Sequence, residues 1–387
     1  MTADWYDLGQ RLRAATTGRA VPHLHHAPVV PVALPVAVRA RRRGDQIIVT
    51  ASTPQHRQAT ATGLAALDLL GTLGVTLAAS QPATLITDTA DTVTLLHRLA
   101  RAAAPGSDHD NVAAHIAWWR DRSDFPAGRA VVDTIAACRA RWVCGTAPEA
   151  ENEPATWRRW LGLNDDTTHG LLALHARIAA GTPLPFLDVL AESDEWYYNA
   201  AKSAHSDSMD WRRPDTRYRA ALGLRDRCDA ADLYAAALLT DPVHRLRAVH
   251  TGEVVTGTAH PLKDRLHRVE VTCQRMDARL RPGTGLTGWT GGPGTTGPRF
   301  SATLAAATVQ AHRLVLTLTG TTGDVPDDGQ PVTLIPAPPS PSRQRASRKR
   351  YRDLYLSRRS WLVTGRTPTP TRRPVPLDVL IAGAEPD

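Results

Sequence analysis

Acidic residues follow two predicted strands that are well separated in the chain. Ala83–Val93 is typical of a buried strand that leads directly into a helix, and Asp88 lies at the end of that strand. Trp142–Glu153 is typical of a strand that runs into a loop. The acids of that loop are Glu149, Glu151 and Glu153. Carboxylate oxygens bind Mg²⁺, and a pair of divalent ions hydrolyses a phosphodiester when several carboxylates hold it. Asp88 is therefore the candidate catalytic and metal-binding residue.

Each of these acids also has a purely structural interpretation. Asp88 precedes a predicted helix by a few residues, so its side chain could cap that helix, a role that needs no metal. The loop acids could rebuild an acidic site, but the simpler interpretation is a solvated loop in which Asn152 and Glu153 fix a turn. The candidate site thus depends on whether other carboxylates meet Asp88 in the fold.

The two segments together resemble the second half of a type 1 ribonuclease H domain. Thr87–Thr89 (Thr-Asp-Thr) is similar to the family's Thr-Asp-Ser motif, and Trp142–Thr146 (Trp-Val-Cys-Gly-Thr) is similar to its Trp-Val-x-Gly-His motif. Asn152–Thr156 then keeps the spacing of the family's Asn-Glu and final Asp. Upstream, the hairpin Val36–Val49 resembles the family's second and third strands, and a helix from Gln55 resembles its first helix.

The resemblance implies a ribonuclease H-like fold in which most of the catalytic residues are missing. The family has an acid in the strand before the hairpin, but Ala27–Val36 contains none. Ala59 stands where the first helix has Glu, Thr146 replaces the His, and Thr156 replaces the last Asp. Of five functional positions only Asp88 remains. Threonine neither neutralises a metal nor transfers protons near neutral pH, so the resemblance implies a catalytically impaired domain.

An α/β order of elements is predicted around these residues. Two β-rich runs joined by a basic turn form a hairpin, and helical spacing alternates with short β runs after it. The hairpin is predicted at 29–51, strands at 75–78, 84–87 and 141–144, and helices at 55–73, at 91–103, around Trp118 and Trp119, and through 131–138. Asp91 is the predicted N-cap of the helix at 91–103. A single α/β domain at 28–157 accounts for this order.

The rest of the chain is predicted to form a helical region and a small β-barrel. Residues 155–247 repeat Ala, Leu and Trp at helical spacing. From Gly252 the period falls to two, which predicts six strands at 253–258, 267–275, 284–290, 300–309, 313–319 and 331–336. A closed barrel is expected because closure leaves no exposed edge. The predicted divisions are an N-terminal segment at 1–27, the α/β domain at 28–157, a helical region at 158–247, the barrel at 248–337 and a basic tail, after a Pro-rich linker, within 338–387.

Positive charge is concentrated near the C-terminus. The chain has a net charge of +8, and the stretch from Arg343 to Arg373 holds ten Arg and one Lys against one acid, Asp353. Such a local excess is typical of a protein that binds a polyanion, whereas the simpler alternative is a solubilising tail. The predicted nucleic-acid-binding residues are Arg343, Arg345, Arg348, Lys349, Arg350, Arg352, Arg358 and Arg359.

Composition narrows the class of protein further. The chain of 387 residues is 42% hydrophobic and 22% charged, which favours folded domains over disorder. No apolar run is long enough to span a membrane, and Met1–Asp7 lacks the features of a secretory signal. The four cysteines have no Cys-x-x-Cys spacing, which suggests reduced thiols. We therefore expect a cytoplasmic protein with no membrane partner, and no feature of the sequence predicts its oligomeric state.

Three functions agree with these features. The first is binding of DNA, RNA or their hybrid by a ribonuclease H-like protein that has lost its catalytic activity and needs no cofactor. The second is an active ribonuclease H that cleaves the RNA of a hybrid with Mg²⁺ or Mn²⁺ held near Asp88. The third is a scaffold whose basic tail binds an acidic protein or RNA. The scarcity of acids at the functional positions of the resembled family favours the first function, in which the protein is not an enzyme.

Overall fold

The chain folds into two compact units. The computed structural model describes residues 5–262, 267–297, 299–358 and 364–366. The larger unit combines Met1–Pro214 with Arg227–Pro339, and the smaller unit combines Asp215–Asp226 with Ser340–Asp387. The larger unit contains a mixed α/β sheet, a helical region and a closed β-barrel.

The elements before the barrel alternate between helices and short strands. The first are α1 (Trp5–Thr17), β1 (Val21–Pro22), β2 (Pro35–Arg43), β3 (Gln46–Ser52), β4 (Ala59–Thr62), α2 (Ala65–Thr72), β5 (Thr84–Thr87), α3 (Ala90–Ala102), α4 (Asp110–Arg122), β6 (Val131–Asp133), α5 (Thr134–Arg141) and β7 (Trp142–Val143). A 3-10 turn at Pro148–Asn152 leads into α6 (Pro154–Leu161), α7 (Thr168–Ala179), α8 (Leu187–Ser206), α9 (Arg217–Thr240) and α10 (Pro242–Ala248). The prediction of a helical region at 155–247 is therefore confirmed.

The main sheet has five strands in the order β4-β3-β2-β5-β6. β2, β3 and β4 are antiparallel neighbours, whereas β5 pairs parallel with β2 and β6 pairs parallel with β5. The predicted hairpin is present, and it turns through Gly44 and Asp45. Gly44 adopts φ +62° there, which glycine does without a Cβ clash. Because β5 and β6 end together, their carboxyl ends lie level with the middle of β2, near Arg39.

Helices cover both faces of this sheet because its central strands are apolar on both sides. Val36 and Val38 of β2 pack in one cluster with α2, α3 and α4. Ala37 of β2 and Ile86 of β5 pack in a second cluster with α5, α6 and α7. All four residues of β5 are buried, as expected for a strand covered on both faces. Each buried aliphatic side chain of Val or Ile size contributes about 1.5–3 kcal/mol to stability.

In two of the predicted helices, a short segment near the start forms a strand instead. The predicted helix at 55–73 includes Ala59–Thr62, which pairs with β3 as an edge strand, so α2 begins only at Ala65. The predicted helix through 131–138 includes Val131–Asp133, which pairs with β5, so α5 begins at Thr134. In both cases hydrogen bonds to a neighbouring strand, β3 or β5, override the local helical pattern.

Four smaller expectations near the sheet are wrong or only partly met. Residues 75–78 form no strand, and 28–34 contain none either, so β2 is the first strand of the main sheet. The strand predicted at 141–144 is shortened to β7 and pairs with β1 in a separate two-stranded ribbon. Thr89 rather than Asp91 occupies the N-cap position of α3.

The predicted closed barrel is confirmed. Its strands are β8 (Val255–Pro261), β9 (Val269–Cys273), β10 (Gly285–Thr290), β11 (Arg299–Gln310), β12 (Arg313–Gly323) and β13 (Pro331–Pro336). They close in the order β10-β11-β12-β9-β8-β13, and each pair is antiparallel. Alternate residues such as Leu304, Leu316 and Leu334 fill the interior and are fully buried.

The smaller unit contains a helix where the sequence predicts a linker and a basic tail. This helix, α11 (Pro341–Leu356), begins with Pro341 in its first turn, a position that proline tolerates. The rings of Tyr218 and Tyr355 stack within this unit, with centroids 4.2 Å apart and planes inclined by 18°. Within the described part of the chain, no helix is both long and apolar enough to cross a membrane.

Candidate functional site

Asp88 lies beside an arginine of the neighbouring strand. Ala37 is opposite Ile86 in the β2–β5 pair, so Arg39 and Asp88, each two residues further on, meet on the same face of the sheet. Arg39 donates to Oδ2 of Asp88 from Nη2 at 2.6 Å and from Nε at 3.0 Å. The Asp88 side chain is only 3% exposed, so the guanidinium supplies the counter-charge that a buried carboxylate requires.

A second carboxylate reaches the same arginine from the loop before α7. Oδ1 of Asp166 lies 3.1 Å from Nη1 of Arg39 and 2.8 Å from Nη2 of Arg158. Partial burial alone would lower the pKa of Arg39, but the hydrogen bonds and charge of Asp88, assisted by Asp166, outweigh burial and raise that pKa. This cluster of two arginines and two aspartates is neutral, unlike the several carboxylates that hold a pair of divalent ions.

The acid on the next strand caps a helix. Asp133 is opposite the residue before Asp88 in the β5–β6 pair, and its Oδ1 accepts hydrogen bonds from the amides of Ile135 and Ala136 at 2.9 and 3.1 Å. Among the residues that the structure describes, no three His, Cys, Asp or Glu side chains are grouped so as to hold a metal ion. The helix-cap interpretation of Asp88 is wrong, because Thr89 occupies the N-cap position of α3 and the Asp88 side chain accepts hydrogen bonds from Arg39.

Glu151 lies in the loop after β7, where it is buried and forms an ion pair. The interpretation of this loop as solvated is therefore wrong at this residue. Its Oε1 and Oε2 accept from Nη1 and Nη2 of Arg11 at 2.7 and 3.2 Å. Oε1 also accepts from the amide of Cys144 at 3.2 Å, and Arg11 makes a further ion pair with Asp7 at 2.8 Å. These contacts hold α1 against the loop, so Glu151 has a structural role.

The segment that resembles the Trp-Val-x-Gly-His motif also contacts α1. A Cβ added at Gly145 would lie 2.4 Å from the backbone nitrogen and 2.5 Å from the Cα of Ala15. The carbonyl oxygen of Thr146 accepts from Nη1 of Arg11 at 3.1 Å. Of the other positions that the resemblance marks, Ala59 lies on β4 and Thr156 lies on α6. Neither residue belongs to the Asp88 cluster.

A cavity of about 780 Å³ lies in another part of the larger unit. Its lining includes Arg13 and Arg19 at the end of α1, together with Val243 and Leu246 of α10. None of the sequence-predicted site residues lines it, so this cavity is separate from the Asp88 cluster.

The predicted nucleic-acid-binding residues are on or next to α11. Arg345, Lys349 and Arg352 are exposed and lie on one helical face, at positions i, i+4 and i+7. They extend over about 10 Å of helix at 1.5 Å per residue. We call these three residues the cationic stripe. Arg350 and Arg358 are exposed as well.

The side chains of Arg343 and Arg348, and the whole of Arg359, lie outside the described residues. Within the described residues, no ion pair involves the cationic stripe, Arg350 or Arg358. These cationic side chains are therefore accessible to an external anion.

Comparison of the chain with protein-family models, with curated protein sequences and with solved structures gave no match. The sequence did not predict the other three residues of the Asp88 cluster, which are Asp166, Arg158 and, in direct contact with Asp88, Arg39. Arg39 and Asp88 are 49 positions apart in the sequence, and the pairing of β2 with β5 brings them into contact. The partner of Glu151, Arg11, was missed for the same reason, since 140 positions separate the two.

Proposed function

We propose that the protein binds nucleic acid through its smaller unit, and that its α/β sheet is a ribonuclease H-like frame without nuclease activity. The observation that carries this proposal is the distribution of charge. By sequence, the smaller unit holds fourteen Arg and Lys against six Asp and Glu, a net charge of +8 that equals the net charge of the whole chain. The larger unit is therefore neutral in net charge.

The cationic stripe gives this charge a regular geometry. Arg345, Lys349 and Arg352 occupy successive turns of one exposed face of α11, where they can contact neighbouring phosphates of a nucleic acid. Each phosphate that they neutralise releases condensed counterions, which drives binding without regard to base sequence. A tail that only increased solubility would need no aligned face of this kind.

The arrangement at Asp88 supports the second half of the proposal. The resemblance places the family's first metal-binding acid in a strand before the hairpin, but the first strand of this main sheet is β2, which is itself part of the hairpin. Its residue at the level of Asp88 is Arg39, whose guanidinium repels a divalent cation and hydrogen-bonds the oxygens that a metal would use. The ion pair thus keeps the sheet intact without a metal.

The salt dependence of binding tests the proposal. We expect a short DNA duplex or RNA–DNA hybrid to bind with an affinity that falls steeply between about 50 and 200 mM salt, measured by fluorescence anisotropy. The triple variant Arg345→Gln, Lys349→Gln, Arg352→Gln should reduce the slope of log K against log salt by about 2–3. At physiological salt it should weaken binding by about a hundredfold.

A charge-matched control separates the stripe from net charge. Arg98→Gln, Arg281→Gln and Arg313→Gln together remove the same three charges from exposed positions of the larger unit, and this variant should bind almost as the wild type does. Equal weakening by both triple variants would contradict a role for the stripe. Cleavage of the hybrid with Mg²⁺ or Mn²⁺ that is lost in Asp88→Asn would contradict the proposal that the sheet is inactive.

A further inference from the structure

The main sheet carries a row of arginines on the same face as Asp88. Along β2, Arg39, Arg41 and Arg43 project from one face because alternate residues of a strand share a face. We call these three residues the arginine row. In the β2–β3 pair, Arg39 is opposite Thr50, and Arg41 is opposite Ile48. The row therefore runs from the Asp88 cluster to the tip of the hairpin.

Helix α7 covers only the half of this face that lies before Arg39. There Ser52 is fully buried, and its hydroxyl donates to Oγ1 of Thr168 at 2.8 Å. Beyond Arg39 the face is open. Its exposed side chains are Arg41, Arg43, Gln46, Thr60 and Thr62.

At the level of Arg39, the next two strands, β3 and β4, present small polar side chains. Thr50 and Thr60 lie opposite each other on β3 and β4, and their hydroxyl oxygens are 3.0 Å apart in a hydrogen bond. Same-face residues on a strand are about 6.7 Å apart, which is comparable with the separation of successive phosphates along a nucleic-acid strand. The planar guanidinium is suited to bidentate hydrogen bonds with phosphate oxygens.

The anions near the row leave two of its members available. Asp88 and Asp166 both pair with Arg39. Asp45 at the hairpin tip pairs at 3.4 Å with Arg42, whose side chain projects from the opposite face of β2. In the part of the chain that the structure describes, no ion pair involves Arg41 or Arg43.

We infer that the open part of the arginine row binds the phosphodiester backbone of one nucleic-acid strand. Successive phosphates lie at Arg43 and Arg41, and from Arg41 the strand turns across Thr50 and Thr60, which are level with Arg39. Arg39, neutralised by its aspartates, marks the inner end of this track. The inference rests on the proposed function and adds a contact in the larger unit, which has no net charge to attract a polyanion from a distance.

Removal of the two free arginines tests the inference. We expect Arg41→Gln with Arg43→Gln to weaken binding of a fluorescein-labelled single-stranded oligoribonucleotide about tenfold at about 0.15 M salt, because two phosphate contacts are lost. The same measurement with the DNA strand of equal sequence shows whether the sugar matters. The matched control is Arg98→Gln with Arg101→Gln on α3, which packs against the other face of the sheet and should leave affinity unchanged.

A crosslinking pair on one strand provides a readout that does not depend on charge. Thr60 and Ala59 are both exposed neighbours on β4, and they project from opposite faces. A photoreactive phenylalanine analogue at Thr60 should crosslink to the oligoribonucleotide, whereas the same residue at Ala59 should not.

The outcomes separate the two proposals. If the row variant binds as the wild type does and Thr60 does not crosslink, while the stripe variant is weakened, the inference is overturned and the proposed function stands. If the wild-type protein binds none of the oligonucleotides, both fail.

Discussion

At Asp88 a carboxylate that is almost fully removed from water needs a positive partner, and two chemical solutions exist. A divalent metal ion is one, but it needs further oxygen ligands to complete its coordination. A guanidinium is the other, and it satisfies both carboxylate oxygens through directed hydrogen bonds. Arg39 approaches Oδ1 and Oδ2 within 3.3 Å, so the second solution holds in this protein. The pair then links β2 to the end of β5 within the sheet.

A double-mutant cycle should show that this pair stabilises the larger unit. Arg39→Gln and Asp88→Asn should each lower the free energy of unfolding, and the double variant should lose less than the sum, with a coupling of about 1–2 kcal/mol. Urea titrations measure these values. The control cycle is Arg42→Gln with Asp45→Asn, an exposed pair in the same hairpin, and it should show no measurable coupling. Equal coupling in both cycles would contradict the structural role of the Arg39–Asp88 pair.

The partners of the candidate acids were not predictable from the sequence. Asp88 itself was predictable as a candidate site residue, because it ends an apolar run and matches a short motif. Arg39 and Arg11 carry no local signal, since each depends on how distant segments pair in the folded chain. The buried state of Glu151 was hidden for the same reason, because an isolated loop acid is indistinguishable from a solvated one until its cation is located.

At the scale of elements, strands with strong alternation were predictable and short strands were not. In the barrel, β9 and the first half of β11 alternate buried residues with exposed or half-buried ones, so the local sequence indicates these strands. β4 and β6 contain only four and three residues, too few for a period to show. Their strand conformation comes from hydrogen bonds to β3 and β5, which overrides the helical spacing that follows them.

Gly145 should be required for the attachment of α1 to the larger unit. Gly145→Ala places a Cβ within 2.5 Å of the backbone of Ala15, so either α1 or the loop must shift. We expect a loss of about 1–3 kcal/mol in unfolding free energy, as for other overpacked sites. Trypsin should also cleave faster at Arg13 and Arg19 in this variant.

The control for this variant lies on α1 itself. A Cβ at Gly9 meets no atom within 4 Å, so Gly9→Ala should leave the attachment intact. It should raise stability by up to about 1 kcal/mol, because alanine favours the helix more than glycine does. If Gly145→Ala resists trypsin as well as Gly9→Ala does, the close packing of this glycine is not a constraint.

At the scale of the whole molecule, the smaller unit carries the net charge, and the larger unit contains histidines that have little access to water. Net positive charge belongs to the smaller unit, while the larger unit balances its acids and bases. The larger unit also contains His115 and His175, which are buried, and His244, which is half-buried. Burial lowers the pKa of each to about 4, because an imidazolium ion loses its hydration there. The larger unit should therefore be sensitive to acid even though its net charge at neutral pH is zero.

Acidification should destabilise the larger unit between pH 6.5 and 4. In this window the unfolded chain protonates His115, His175 and His244, whose ordinary pKa is 6.5, while the folded protein keeps them neutral. The unfolded state then binds more protons, so stability falls as pH falls, by roughly 1.4 kcal/mol per pH unit and histidine at most. Asp7, whose pKa is lowered from 3.8, loses its contribution only at more acidic pH. Urea titrations at pH 7, 6 and 5 measure the slope.

One histidine variant isolates the cause of this slope. Nε2 of His175 has no hydrogen-bond partner among the described residues, so His175→Leu removes a buried titrating group without breaking a hydrogen bond at that atom. The dependence of its stability on pH should be about a third less steep than that of the wild type, since His115 and His244 remain. His312→Asn changes an exposed histidine at φ +61°, a conformation that asparagine tolerates, and should keep the full slope. An unchanged slope in His175→Leu would show that His175 is hydrated, because only exclusion of water keeps its imidazole neutral down to pH 4.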